Sequence, residues 1–197
     1  MAARYDLVNT LLSGGQDARW RRLAARSTGL REGGVALDVA CGSGRLAQEL
    51  FRQAPGALVV GLDFSTEMLR VAAKRMRQPF YVRGDALRLP FPEQTFDAVT
   101  LAFGLRNFAD PERGLGEMRR VLRLGGEGVV LEFLRPPAGA AGIFYRIYLH
   151  YLLPLLGGWV SGAPSAYRYL STTVESYRTP EQLIELAQSA GWREPSI

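Results

Sequence analysis

Cysteine, histidine and lysine are nearly missing from this 197-residue sequence, in which Cys41, His150 and Lys74 are each the only residue of their kind. A single cysteine cannot form an intramolecular disulfide, which favours a reducing, cytoplasmic location. One cysteine and one histidine also argue against a metal site built from these ligands, so we predict no metal. The formal charge of +5 comes almost entirely from arginine.

Long apolar runs and basic runs are missing as well. The N-terminal segment carries charged residues and lacks the apolar core of a signal peptide. The longest apolar region, residues 143–160, is interrupted by Arg146, His150 and Pro154, which is untypical of a membrane-spanning helix. No basic run with interleaved aromatic residues occurs, so nucleic acid is not an expected partner. Peripheral contact with a membrane surface and a homo-oligomer are both compatible with this composition.

Apolar, β-rich segments alternate with amphipathic helical ones, as in an α/β fold with a parallel sheet and crossover helices. The absence of internal repeats and linkers predicts one domain over residues 1–197. Ser65, Pro111 and Thr179 are predicted to open helices, and Gly125 to lie in a turn before the last strand. The predicted strands are 35–40, 58–62, 80–83, 96–103 and 128–133; the predicted helices are 17–27, 44–53, 66–76, 111–122 and 180–190.

The strongest chemical signal is the segment Asp38-Val39-Ala40-Cys41-Gly42-Ser43-Gly44, in which an apolar strand leads into a glycine-rich turn and a helix. Without a Cβ, Gly42 and Gly44 let a ligand approach the backbone, and N–H groups at the helix start can bind its electronegative atoms. With Ala47, these glycines also fit the dinucleotide-binding pattern. The turn alone therefore leaves NAD, another adenosine ligand and a ligand-free turn open.

Acidic residues near the predicted strand ends narrow this choice. Asp63 follows the second strand, where a carboxylate can accept hydrogen bonds from both ribose hydroxyls of an adenosine. Asp85 follows the third strand and can accept from the adenine amino group, whereas Asp38 can hold the ammonium of an amino-acid ligand, directly or through water. Each acid alone could instead serve a turn or a cap. Together they favour a sulfonium nucleoside over NAD.

Residues 103–108 read FGLRNF, and residues 167–170 read YRYL. These segments and the glycine turn resemble the ubiquinone/menaquinone biosynthesis C-methyltransferase family, and the resemblance covers nearly the whole chain. The FGLRNF and YRYL segments are much more specific to this family than the glycine turn, which is general to Rossmann-like class I methyltransferases. The resemblance implies a mainly parallel, doubly wound sheet with helices on both faces. It also implies two C-terminal strands, of which this chain reaches only the first at Ile197. The matching segments are residues 5–9, 38–44, 89–92, 95–97, 103–108, 122–126, 131–133 and 167–170.

The resemblance implies S-adenosyl-L-methionine as the methyl donor. Where the family often has threonine, Ser43 retains a hydroxyl; where it often has serine, Ala102 has none, so only a backbone contact is expected there. The contacts implied by the resemblance are at Ser43, Asp63, Asp85, Ala86 and Ala102. Asp38, Gly42 and Gly44, with Phe64 and Met68 beside Asp63, complete the predicted cofactor-binding set.

The implied reaction is methylation of a ring carbon of a reduced, prenylated quinone precursor. A ring hydroxyl pushes electron density onto the adjacent carbon, which attacks the sulfonium methyl in line, so alignment supplies much of the rate. Arg106 is predicted to polarise the ring oxygen or a water, with Asn107 orienting it and Tyr5 closing over the site. Arg106 could instead be an ion-paired loop anchor. The arginine-rich, lysine-poor composition suggests a bacterium with a GC-rich genome, which favours demethylmenaquinol over a benzoquinol as the substrate. The sequence assigns no role to Glu132.

Residues 143–178 form an apolar, aromatic segment, interpreted as a helical insertion and candidate substrate cover. It could line a tunnel for the isoprenoid tail, rest on the inner membrane surface, or pack in the core. Two other functions stay open: a methyltransferase for a different small-molecule acceptor, and a silent subunit that binds cofactor or lipid in a quinone-synthesis assembly. Asp38 and Asp85 disfavour an NAD-dependent oxidoreductase.

Overall fold

The computed structural model describes residues 10, 13–135, 139 and 177–197. Its five-stranded sheet has the order β3-β2-β1-β4-β5, and every neighbouring pair is parallel. This is the predicted Rossmann-like α/β fold. The strands are β1 (Val35–Val39), β2 (Leu58–Asp63), β3 (Phe80–Arg83), β4 (Phe96–Ala102) and β5 (Leu122–Leu131); the helices are α1 (Asp17–Ser27), α2 (Arg45–Gln53), α3 (Thr66–Arg75), α4 (Pro111–Val121) and α5 (Pro180–Ser189), with a 3-10 turn at Leu105–Asn107.

Strand order places a crevice at the carboxyl ends of β1 and β4. The chain proceeds outward from β1 through β2 to β3, then returns so that β4 pairs with the other side of β1, with Val39 opposite Leu101. Connections leave these two neighbouring strands toward opposite faces of the sheet. In open α/β sheets such a reversal point is where ligands bind.

Alternating side chains of the strands build a hydrophobic cluster on each face of the sheet. On one face Leu37 and Val39 pack in a cluster with Met118 of α4. On the other face Ala36 belongs to a cluster with Leu50 of α2 and residues of α1. Burial on both faces explains why the central strands read as nearly continuous apolar runs.

Three predicted helix starts are confirmed by their capping contacts. The hydroxyl of Ser65 accepts a hydrogen bond from the Met68 N–H at 3.3 Å. Pro111 is in the first turn of α4, and Thr179 forms a reciprocal capping box with Gln182. These signals are local in sequence, because a cap needs only its own first turn.

The predicted start of the fifth strand at residue 128 is wrong. Helix α4 ends at Val121 rather than 122, and β5 begins at once, because Leu122 pairs with Phe96. Pairing then resumes between Glu127 and Ala98, so five steps along β5 match two along β4. The extra residues form a bulge in which Gly125 has φ +80°. Hydrophobic periodicity missed this strand start because the bulge breaks the alternation.

Other predicted bounds shift by a residue or two where the backbone turns. Strand β1 ends at Val39 and β4 at Ala102, because Ala40 (φ +51°) and Phe103 (φ +58°) adopt left-handed conformations. Strand β5 ends at Leu131 rather than 133. Helix α2 begins at Arg45, and Gly44 is its N-cap.

Two predictions fall on residues that the structure does not describe. Tyr5 lies outside the described residues, as does the insertion apart from Tyr177 and Arg178. Within the stretches 13–135 and 177–197, no helix is both long enough and apolar enough to cross a membrane.

Candidate functional site

Gly42 and Gly44, in the turn after β1, differ in the space around their Cα atoms. Gly42 has φ +55°, and a Cβ built there would meet no atom within 4 Å. Gly44 has φ +76°, but a Cβ there would lie 2.7 Å from Tyr81 Oη and 3.0 Å from the Cβ of Ala72. Gly42 therefore leaves room for a ligand, whereas Gly44 makes room for Tyr81.

Replacing Gly44 with alanine should lower the free energy of unfolding by about 2–4 kcal/mol, because backbone strain and steric overlap add. Gly125→Ala is the matched control, since Gly125 has φ +80° but open space around its Cβ position. It should cost only about 1–2 kcal/mol from the backbone. Urea denaturation of both variants measures the difference; equal losses would contradict the packing role of Gly44.

Asp38 is buried on β1 beneath the turn. Its Oδ2 accepts a hydrogen bond from the Ala47 N–H at 3.0 Å, and its Oδ1 accepts one from the Thr100 hydroxyl at 2.8 Å. Because Gly44 has no side chain, Asp38 caps α2 from the sheet. Burial raises the pKa of Asp38 to about 7, against the lowering effect of these hydrogen bonds.

Asp63, at the end of β2, is fixed between the glycine turn and α3. Its Oδ2 accepts from the Gly42 N–H at 2.7 Å, and its Oδ1 accepts from the Ser65 N–H at 2.8 Å. A carboxylate has about four lone-pair sites, so two hydrogen bonds leave capacity for two more. This geometry fits the predicted pair of ribose hydroxyls.

The predicted adenine end lies along the outer strands. Phe64 is 72% exposed, and the Arg83 guanidinium lies 5.8 Å from the centre of the Phe64 ring. Asp85 is exposed, and its Oδ1 accepts from the Leu87 N–H at 2.9 Å in a tight turn. The other Asp85 oxygen and the half-buried Ala86 complete an edge suited to a planar ring.

A small pocket of about 20 Å³ opens beside the glycine turn. It brings together four predicted cofactor residues from three parts of the chain: Asp38, Gly42, Ser43 and Ala102. Arg21 and Arg45 also line it, although sequence reasoning assigned them no role. Scattered arginines on helices look like solvated surface, so no sequence signal separated these two from the rest. The other six predicted cofactor residues lie outside this pocket's lining: Gly44, Asp63, Phe64, Met68, Asp85 and Ala86.

A buried ion pair lies at the carboxyl ends of β4 and β5. The side chains of Arg106 and Glu132 are 5% and 0% exposed, and Arg106 Nη1 donates to Glu132 Oε1. The Arg106 N–H donates to Glu132 Oε2 at 3.2 Å, and the Phe133 N–H donates to Oε1 at 2.9 Å. Burial raises the pKa of Glu132, while the charge of Arg106 lowers it. Asn107 next to this pair is exposed.

Two phenylalanines connect this ion pair with the pocket. The rings of Phe103 and Phe133 stack with centroids 4.6 Å apart and an angle of 21° between their planes. The Arg21 guanidinium lies 5.0 Å from the Phe103 ring, and the Arg106 guanidinium lies 5.9 Å from the Phe133 ring. A stacked column therefore runs from Arg21 to Arg106.

Comparisons with known proteins agree with the resemblance inferred from the sequence. The model of the ubiE/COQ5 methyltransferase family matches residues 1–196. A demethylmenaquinone methyltransferase of Thermus thermophilus is 50% identical over 196 residues, which cover 98% of this chain and 89% of that protein. One of Deinococcus radiodurans is 46% identical, with 98% and 82% covered. The structure of a SAM-dependent methyltransferase of Thermotoga maritima aligns with a TM-score of 0.66 at 21% identity, covering 98% of this chain and 78% of that one.

Proposed function

Because the chain belongs to the ubiE/COQ5 methyltransferase family, we propose that it methylates a ring carbon of demethylmenaquinol with S-adenosylmethionine as donor. The observation that carries the proposal is the pair of stacked rings, Phe103 and Phe133, that links the buried Arg106–Glu132 pair with Arg21 in the pocket at the glycine turn. Strands β1 and β4 are paired neighbours, so the donor and acceptor sides open on one crevice. The substrate names of the two relatives favour a naphthoquinol ring over a benzoquinol ring.

The residues at the glycine turn fit this donor. S-adenosylmethionine supplies an electrophilic methyl group attached to a sulfonium. Asp63 retains acceptor capacity for the ribose hydroxyls, and the open space at Gly42 admits the ligand to the backbone. The exposed Phe64 ring offers a stacking surface for the adenine, with Asp85 and Ala86 at its edge. Asp38 and Ser43 face the amino-acid end, and Met68 lies on the helix that follows Asp63.

On the acceptor side, Arg106 stabilises the negative charge that forms on the ring oxygen when its hydroxyl is deprotonated. The adjacent carbon then attacks the methyl group, the methyl–sulfur bond breaks to release S-adenosylhomocysteine, and the ring carbon loses its proton to solvent. A guanidinium has five N–H donors, so binding Glu132 leaves others for the substrate. Glu132 holds it in place before the substrate arrives, and such preorganised donors are effective because they need no reorientation during reaction. Asn107 orients the ring oxygen, and Tyr5 closes over the site. No covalent enzyme intermediate is required.

The domain extends over residues 1–197, and its segment 143–178 covers the prenyl tail. The proposed location is the cytoplasm. A prenylated quinol dissolves in lipid, so a cytoplasmic enzyme must contact the inner membrane surface to reach it. The likeness of this segment to an amphipathic, aromatic membrane-contact sequence supports this part of the proposal.

Methyl transfer from deuterated S-adenosylmethionine to a reduced demethylmenaquinone in vesicles tests the function. We expect one labelled methyl group on a ring carbon and slower labelling of a reduced demethylated benzoquinone. Pelleting the vesicles reports membrane contact in the same samples. Binding of S-adenosylhomocysteine without labelling of either ring would favour the silent subunit. Label on another acceptor class would overturn the assignment of the substrate.

A further inference from the structure

A buried carboxylate joins the two arginines of the pocket. Asp17 at the start of α1 has a side chain that is only 2% exposed. Its Oδ2 accepts from Arg45 Nη1 at 2.7 Å and from Arg21 Nη1 at 3.1 Å. Taking charges out of water is unfavourable, and their mutual attraction repays this only when the geometry is good and further hydrogen bonds are made. An ordinary contact between α1 and α2 could be made by apolar side chains at lower cost.

The Arg21 guanidinium is held on two sides before any ligand binds. Its side chain is 6% exposed; Asp17 binds one nitrogen and the face of Phe103 lies 5.0 Å away. The Arg45 side chain is 32% exposed, and its Nη1 also donates to Thr10 Oγ1 at 3.3 Å. Arg21 is therefore fixed, whereas Arg45 is nearer to solvent at the same pocket.

The pocket has opposite charges on its walls. Asp38 lines it together with Arg21 and Arg45, and the positive charge of Arg21 acts on the Asp38 carboxyl. An α-amino acid has an ammonium and a carboxylate on one carbon, so a complementary site must present an acid and a cation close together. A nucleoside without an amino-acid end would require neither.

We propose that Arg21, assisted by Arg45, binds the carboxylate of the methionine end of the cofactor, and that Asp17 positions both guanidinium groups. The inference rests on the proposed function, because it takes S-adenosylmethionine as the ligand. A planar guanidinium binds a carboxylate through two parallel hydrogen bonds, which gives orientation as well as affinity. Seated in this way, the amino-acid end fixes the direction of the sulfonium methyl toward the end of β4.

The test compares ligands that differ only in this carboxylate. S-adenosylmethionine and its decarboxylated analogue are titrated calorimetrically into the full chain and into Arg21→Gln, Arg21→Lys and Asp17→Asn. Arg21→Gln should weaken binding of S-adenosylmethionine about 10- to 100-fold and change binding of the decarboxylated analogue less than about twofold. Arg21→Lys keeps the positive charge but lacks the planar pair of donors. Its affinity for S-adenosylmethionine should lie between those of the wild-type chain and Arg21→Gln. Arg22→Gln, at an exposed position on the same helix, is the control and should change neither.

The outcomes separate this inference from the proposed function. Equal weakening of both ligands by Arg21→Gln, with thermal melting unchanged, would overturn carboxylate binding and leave the methyltransferase assignment intact. Equally tight binding of both ligands to the wild-type chain would overturn it in the same way. Failure of the wild-type chain to bind either ligand would contradict the proposed function itself. If Arg21→Gln melts at a much lower temperature, Arg21→Lys supplies the comparison, because it retains a cation beside Asp17.

Discussion

Replacing Arg106 with glutamine should lower kcat about 10²- to 10³-fold, because removal of one preorganised donor to a developing oxyanion typically has this effect. The dissociation constant of S-adenosylhomocysteine should change little, since the pocket at the glycine turn does not include Arg106. The substitution also leaves Glu132 buried without its cation, which should reduce the free energy of unfolding by about 3–5 kcal/mol. Single-turnover labelling, calorimetry and urea denaturation measure the three quantities.

The pH dependence of that stability loss has a definite sign. Burial raises the pKa of Glu132 in the folded chain, and loss of Arg106 removes a charge that lowers it. A native carboxyl with a raised pKa binds its proton more tightly than the unfolded chain does. The stability of Arg106→Gln should therefore fall as the pH rises above the unfolded pKa of the carboxyl, until Glu132 ionises in the native protein.

The double variant Arg106→Gln/Glu132→Gln separates catalysis from folding. Removing both charges leaves no unpaired ion, so most of the lost stability should return. Activity should not return, because the cation that faces the ring oxygen is still missing. Recovery of turnover along with stability would show that Arg106 only anchors its loop, which is the alternative that the sequence left open.

Asp63→Asn should weaken binding of S-adenosylhomocysteine about 10²-fold or more. Two charge-assisted hydrogen bonds to ribose hydroxyls each contribute about 1.5–3 kcal/mol, and about 1.4 kcal/mol corresponds to tenfold in affinity. An asparagine amide also turns a donor toward the N–H of Gly42 or Ser65, which both need acceptors. Calorimetric titration of the purified variant measures the loss.

Asp85→Asn is the comparison for Asp63→Asn, and its expected loss of affinity is smaller. Asp85 is exposed and stabilises its own turn, so the change should cost about tenfold or less in affinity. Titration of the wild-type chain with NAD, expected to give no saturable heat, checks the class of ligand. Unchanged binding of S-adenosylhomocysteine to Asp63→Asn would refute the ribose role, and NAD binding alone would refute the methyltransferase assignment.

Local sequence signals determined the order of elements and the acids at the strand ends. Apolar segments that alternate with helical segments along the chain indicated five parallel strands. Capping residues such as Ser65 and Thr179 indicated where helices start. Asp38 and Asp63 were recognisable because the end of a strand and the turn after it are adjacent in sequence. The glycine turn could likewise be read as a unit, although only the structure separates the open Gly42 from the packed Gly44.

Tertiary structure alone decided which distant charges meet. Glu132 and Arg106 are 26 residues apart, and Arg45 and Asp17 are 28 apart. A glutamate or arginine in an amphipathic pattern looks like a solvated surface residue, since burial of a charge depends on a partner supplied by another element. The bulge in β5 has the same origin, because strand pairing with β4 sets its register. The sequence by itself therefore determined the fold and the class of ligand, whereas only packing decided the charged groups that surround the ligand.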